Sequence, residues 1–250
     1  MKGFLRALSF LTILPFGQSL SGEDRELAWS MAFFPCVGLL IGLILALGCY
    51  LFSFLFPMAL TLWLTIGLLV VLTGGLHLDG LADTADGLAS RGTKEKILEV
   101  MRDSRIGSFG VISLILLVGA KYLALSQISN SSIPYSLILM TVMGRGSMVL
   151  VCFRSAYARS GQGLAKPFAE NLGYGEMALS SVSAFVIALL VMGIKGILVF
   201  FGVGLFSLGY RHFFSKKLSG VTGDILGAAN ELSELLSLIL LIILEKVKMG

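Results

Sequence analysis

Long apolar runs alternate with short polar interruptions along this 250-residue chain. The runs Met31–Phe56, Pro57–Leu76, Phe109–Ser126, Ile133–Phe153, Met177–Ile194, Gly196–Phe214 and Ile225–Leu244 approach or exceed the ~20 residues a helix needs to cross a bilayer. The junctions at 56/57 and 194/196 are so short that the helices they join must be antiparallel neighbours. Polar stretches at 17–30, 77–108, 154–176 and 211–224 separate the rest. Lys2 and Arg6 precede an apolar stretch to Phe16 with no A-x-A site after it, which reads as an uncleaved helix lying in the interface. No internal repeat or low-complexity linker divides the chain. The pattern predicts an all-α fold, a polytopic integral membrane helix bundle of about six to seven transmembrane helices plus the interfacial N-terminal helix. It predicts one domain over 1–250, with motif loops at 77–108, 154–176 and 211–224.

Composition agrees. The chain is 56% hydrophobic and 14% charged, against roughly 25% charged in a soluble domain, and its mean hydropathy is +0.91. The net charge of +4 does not call for nucleic acid. Basic residues that collect on the cytoplasmic side of a membrane protein account for it. With the first span entering from the cytoplasm, the inner segments hold Lys2, Arg6, Arg25, Arg91, Lys94, Lys96, Arg102, Arg105, Arg154, Arg159, Lys166, Arg211, Lys216 and Lys217, fourteen of the 19. Lys121, Lys195, Lys246 and Lys248 fall outside, and Arg145 lies within a span. This bias predicts a multi-pass protein of the cytoplasmic (inner) membrane whose polar motifs face the cytoplasm. Cys36, Cys49 and Cys152 sit in apolar runs without CxxC spacing and read as small buried hydrophobes.

Within the run Gly74–Gly87, Asp79, Asp83 and Asp86 stand at i, i+4 and i+7. At about 100° per residue their side chains share one helix face within about 60°. Three like charges so close repel, and a divalent cation held by oxygen ligands, with waters or a phosphate completing its shell, would let all three stay ionised. His77 points away from Asp79 on a continuous helix, so it can act as a base only if Gly74-Gly75 breaks the helix.

Other clusters add to this. Met101–Gly107 sets Arg102 and Arg105 around Asp103, a pattern suited to holding phosphate or, as readily, lipid head groups. Thr222 can cap a helix beginning near Asp224, and Glu231 lies seven residues on, nearly on Asp224's face. Glu234 is a turn deeper into an apolar run, where a carboxylate is a functional candidate by default. Arg159 belongs to a glycine-bearing basic loop, and Arg145 needs a partner inside its span. Gly38 and Gly42 form a small-xxx-small helix-packing pair.

Acids and arginines at helix ends suit a metal-dependent transferase acting on a diphosphate. The alternative is an ion-coupled membrane transporter using the intramembrane carboxylates, which predicts mid-span acids and two related halves. An intramembrane prenyl transferase would need a second aspartate motif that Asp224 and Glu231 only half supply.

The run Gly74–Gly87, together with Met101–Gly107 and Thr222–Ala228, closely resembles the signature of the cobalamin synthase (adenosylcobinamide-GDP ribazoletransferase) family. Leu14-Pro15, Phe34-Pro35 with Gly38, Arg145-Gly146, Tyr157-Ala158-Arg159 and Glu231/Glu234 follow in the family's order, so the likeness spans essentially the whole chain. Ser219 stands where a glycine pair is usual, and Ala165-Lys166-Pro167 interrupts a glycine-rich loop. The resemblance implies that a ribose hydroxyl of α-ribazole, or of its 5′-phosphate, attacks the cobinamide-bearing phosphorus of adenosylcobinamide-GDP. GMP leaves, adenosylcobalamin or its 5′-phosphate forms, and Mg²⁺ is required. It implies these small-molecule substrates and the lipid bilayer as partners, with no nucleic acid, and a homo-oligomer is compatible with it. By analogy with membrane CDP-alcohol phosphotransferases, Asp79, Asp83 and Asp86 would bind metal, and Asp103 or Asp86 would take the hydroxyl proton. Asp224, Glu231 and Glu234 would complete a second metal site or hold ribazole; Arg102, Arg105, Arg145, Arg159 and Thr222 would serve substrate binding.

Overall fold

A computed structural model describes residues 2–14 and 24–247. Pro15, Phe16 and the start of the first polar stretch lie outside the described residues. Amphipathic α1 (Lys2–Leu11) comes first. Then α2 (Asp24–Ser30) runs through a 3-10 turn, Met31–Phe33, into α3 (Phe34–Ser53). After these come α4 (Met58–Thr73), α5 (Leu76–Ala89), α6 (Lys94–Val100), α7 (Ser108–Gln127), α8 (Ile133–Cys152), α9 (Lys166–Asn171), α10 (Tyr174–Leu218) and α11 (Gly223–Val247). Among the described residues, the one β-type pairing is an isolated parallel bridge between Tyr157 and Val221.

Five helices are long and apolar enough to cross a membrane, and α4 with α5, bent by 89°, makes a sixth candidate. The 45-residue α10 is a hairpin. Gly193 takes φ 56°, ψ −133°, which breaks the helix. The rings of Phe185 and Phe200 are 5.5 Å apart, whereas fifteen residues of straight helix would separate them by about 22 Å. The two arms therefore lie antiparallel, as the short junction near 194/196 requires. Three expected loops are partly helical instead. Residues 77–108 contain α5 and α6, 154–176 contain α9, and 211–218 continue α10, because their apolar positions find a face to pack against.

Helix α8 forms the centre. Its most apolar stretch is 83% buried, against 28% for α7 and 22% for α10, which leave apolar faces for lipid. Pro134, in the first turn of α8, costs no hydrogen bond there. Gly38 and Gly42 let α3 lie directly on α8. A Cβ on Gly42 would come 2.5 Å from Ile138 Cα, and one on Gly38 would come 2.6 Å from the Thr141 carbonyl. Thr141 Oγ1 uses that closeness to donate to the Gly38 carbonyl at 2.8 Å.

The polar connections gather at one end of the bundle, where α4 finishes and α7 and α11 begin. Gly74 and Gly75, at φ 61° and 69°, turn the chain there in a conformation that favours glycine. Gly42→Leu should cut folded yield and lower the melting temperature in detergent, as overpacking a tight contact costs about 1–3 kcal/mol. Gly67→Leu, whose Cβ meets nothing within 4 Å, should leave both unchanged. Thermal unfolding of the purified variants checks the pair.

Candidate active site

The site begins with two glycines. Gly80 on α5 faces the backbone of Asp224 on α11, with an added Cβ 2.8 Å from its carbonyl oxygen. Gly227 on α11 faces His77, with an added Cβ 3.2 Å from its Cα. Side chains on either would force the helices apart. Their absence brings Asp79 and Asp83 beside Asp224.

A second device brings in the basic loop. Ala158 donates its N–H to the Val221 carbonyl, and Val221 donates to the Ala156 carbonyl, both at 2.9 Å. A side chain at Gly220 would collide with the Ala156 carbonyl. This bridge sets Arg159 against Asp224: its guanidinium donates to Asp224 Oδ2 at 2.6 Å and to the Met101 carbonyl at 3.1 Å. Thr222 caps α11 by accepting from Ile225 N–H at 3.3 Å, and its hydroxyl also lies 3.2 Å from Asp224 Oδ2.

A cleft of about 220 Å³ opens among these groups. Its polar lining carries Asp79, Asp224, Arg102, Arg159 and His77, and its aromatic lining carries Phe10, Phe34 and Phe168, which pack on one another. The break at Gly74-Gly75 satisfies the condition set for His77, which lines the same cleft as Asp79. His77 is 1% exposed, and neither ring nitrogen has a protein partner. Asp83, on α5, stands near Asp79 and Asp224, which repel its charge, and near Arg159, which opposes them. The cleft lining thus holds two carboxylates and two guanidiniums, and Asp83 stands beside it without lining it. Among the described residues, no three His, Cys, Asp or Glu converge as a closed metal-ligand set.

The shared face of the aspartate triplet leads to different surroundings. Asp86 accepts from the N–H groups of Gly107 and Gly110, at 2.7 and 2.8 Å, and so caps α7 with both oxygens. Asp103 and Arg105 form a bidentate pair on the surface, at 3.0 and 2.7 Å, away from the cleft. The Arg105 guanidinium holds the Asp103 carboxyl down at about 2. Arg102 does line the cleft, donating to the Ser160 carbonyl at 3.4 Å.

The profile of the Cobalamin-5-phosphate synthase family matches residues 3–242. The chain belongs to that family. It is 40% identical over 240 residues to a protein of Acetivibrio thermocellus named adenosylcobinamide-GDP ribazoletransferase, covering 96% of this chain and 97% of that one. Proteins of the same name from Geotalea daltonii and Syntrophobacter fumaroxidans are 38% and 41% identical, covering 97% and 94% of this chain and 97% and 96% of theirs. No solved structure matches. Membership in this family leaves the transporter alternative without support.

Beneath the cleft, in this cobalamin-5-phosphate synthase family member, lie three residues that the sequence nominated for substrate. Glu234 pairs with Arg145, both fully buried. Lys121 Nζ lies 2.6 Å from Glu231 and 2.5 Å from Glu234. Asn230 donates to both glutamates, at 3.2 and 3.3 Å. Arg145, Glu231 and Glu234 therefore hold one another inside the bundle, and none of them lines the cleft. Lys121, expected on the outer side, is instead their interior counter-ion, 2% exposed. Its signal was present: two acids in one apolar run needed two cations, and Arg145 supplied only one.

The buried cluster gives a direct test. Lys121→Met leaves Glu231 uncompensated and should cost about 3–5 kcal/mol. Adding Glu231→Gln removes the matching charge and should restore much of the loss. Melting temperatures of the single and double variants decide it, and equal losses in both would refute the pairing.

Proposed function

We propose that this protein joins a ribazole nucleoside, or its 5′-phosphate, to adenosylcobinamide-GDP with release of GMP, at the cytoplasmic face of the inner membrane. One observation carries the site assignment: acids and guanidinium groups from four distant chain segments converge on a single cleft, in a chain matching its family almost end to end. The relatives' printed name supports the substrates. The clustering of basic residues at the cleft end supports the orientation.

The donor set fits Mg²⁺. Asp79, Asp83 and Asp224 offer only carboxylate oxygens and repel one another, while Mg²⁺ takes one or two carboxylates and completes its shell with waters and substrate phosphates. When bound there, the ion would neutralise diphosphate charge and stabilise the departing GMP. Asp86, with both oxygens taken by α7, is left to position that helix rather than to bind metal or take a proton. Arg102 and Arg159 hold phosphate oxygens at the cleft mouth, where guanidinium forks suit them. His77 orients the attacking hydroxyl. Of the three side chains nominated for proton transfer, only His77 lines the cleft, and its ring nitrogens have no protein partner. The hydroxyl oxygen forms its bond to the cobinamide-bearing phosphorus as the P–O bond to GMP breaks, and the hydroxyl proton ends on the departing GMP phosphate. Asp103 is engaged by Arg105 and stays outside these steps.

Detergent-purified protein given adenosylcobinamide-GDP and α-ribazole should release GMP. Excess EDTA should stop the reaction and Mg²⁺ restore it. Asp83→Ala should lower turnover at least 100-fold, on the scale of losing a group aimed at transition-state charge, with its elution in detergent unchanged. Chelator-insensitive release, or full activity of Asp83→Ala, would remove the metal from this scheme.

A further inference from the structure

The two walls of the cleft differ too much in character to hold the same part of a substrate. One carries carboxylates and guanidinium groups. The other is built of rings from three separate elements, Phe10 of α1, Phe34 of α3 and Phe168 of α9. Their centroids lie 6.0, 5.0 and 6.3 Å apart in pairs, and Phe34 and Phe168 are 0% and 2% exposed. Met31 and Met148 close the apolar end.

We propose that this aromatic end receives the flat two-ring base of the nucleoside substrate, an inference that rests on the transferase reading above. A diphosphate placed against the phenylalanines would lose its hydration without hydrogen bonds in return. An aromatic base loses little and gains ring contacts. Size selects the same reactant. At about 220 Å³ the cleft falls below the ~300–1,000 Å³ of pockets that engulf a whole drug-sized ligand. A nucleoside base enters it, and a corrin ring stays outside.

A second, independent observation points to a ligand. His77 lines the cleft while only 1% exposed, and neither of its ring nitrogens has a protein partner. A neutral imidazole there offers one donor and one acceptor to a sugar hydroxyl. The nucleoside then lies along the cleft, its base on the phenylalanines, its ribose at His77 and its reacting hydroxyl toward the acids. The lipid-facing helices do not enter into this. An acyl chain would leave His77 buried without a hydrogen bond, so a lipid is the poorer occupant.

Phe168→Leu and Phe10→Leu, made separately in the full-length protein, test the assignment. GMP release is measured with each substrate varied against saturating amounts of the other. Phe168→Leu should raise the KM for α-ribazole roughly tenfold, the scale of one lost aromatic contact, and leave that for adenosylcobinamide-GDP within about twofold. Each variant should also lose preference for a two-ring over a single-ring nucleoside. Equal rises in both KM values, or no rise in either variant, would overturn the proposal. If Phe168→Leu does not elute as folded protein, Phe10→Leu, whose ring is only half-buried in α1, decides alone. Calorimetry of wild-type protein with α-ribazole separates the two readings. Nucleoside binding without GMP release would sink the transferase reading and leave the subsite standing. Turnover with an unchanged α-ribazole KM in both variants would do the reverse.

Discussion

Four charges that sum to zero hold the interior of this bundle. Lys121 on α7, Arg145 on α8, and Glu231 and Glu234 on α11 meet where no single one of them could remain ionised. Apolar packing alone would let α11 slide or rotate against α7 and α8 at small cost, because Leu and Ile faces in lipid resemble one another. The ion pairs allow one register, since any other leaves a charge in hydrocarbon. Gly144 makes room for this arrangement, facing Asn230 and the Glu234 stem so closely that a Cβ there would come 2.6 Å from Asn230 Oδ1. The position of α11 fixes Asp224, and Asp224 fixes Arg159. The cleft is in this sense a consequence of the cluster below it.

Helix ends then set its electrostatics. Helices α7 and α11 both start at the cleft end, and their free N–H groups carry partial positive charge there. Asp86 spends that charge at α7, and Thr222 and Asp224 sit in the first turn of α11. The acids at the cleft are thus partly balanced by backbone dipoles and by Arg159. Distance from the bundle interior separates the acids by role. Asp79 and Asp224, near helix starts, line the cleft, and Glu231 and Glu234, farther along α11, meet Lys121, Arg145 and Asn230.

Much of this was legible in the residues. Run lengths fixed the spans, and the short junction at 194/196 fixed the α10 hairpin, although the turn itself falls at Gly193. Thr222 as a helix cap and Gly38–Gly42 as a packing pair followed from chemistry that local sequence carries. What sequence could not carry was partnership across the chain. The face shared by Asp79, Asp83 and Asp86 is a local property, whereas Asp86's engagement with Gly107 and Gly110 depends on how α7 returns. Counting cations by side of the membrane assigned Lys121 outward, because the rule concerns loops and is silent about a lysine drawn inward by acids 110 and 113 residues away. Phe34 was named only for its place beside Pro35, and Phe10 and Phe168 drew no notice, because that α1, α3 and α9 bring the three rings together is again a matter of partnership across the chain.

The site's place at the membrane boundary follows from needing both kinds of wall. A polar wall comes readily from loops and helix starts, and an apolar wall from helices already facing hydrocarbon, so a cleft where they meet acquires both. Helix α1 contributes through this geometry. Its charged side keeps Arg6 on Glu26 at 2.6 Å, while Phe10 on its other side enters the cleft. Phe34 and Phe168 belong to the bundle's own buried core, and Phe10 packs against it from α1. Whatever holds α1 against the bundle therefore also places Phe10, which gives this amphipathic helix a direct part in the cleft.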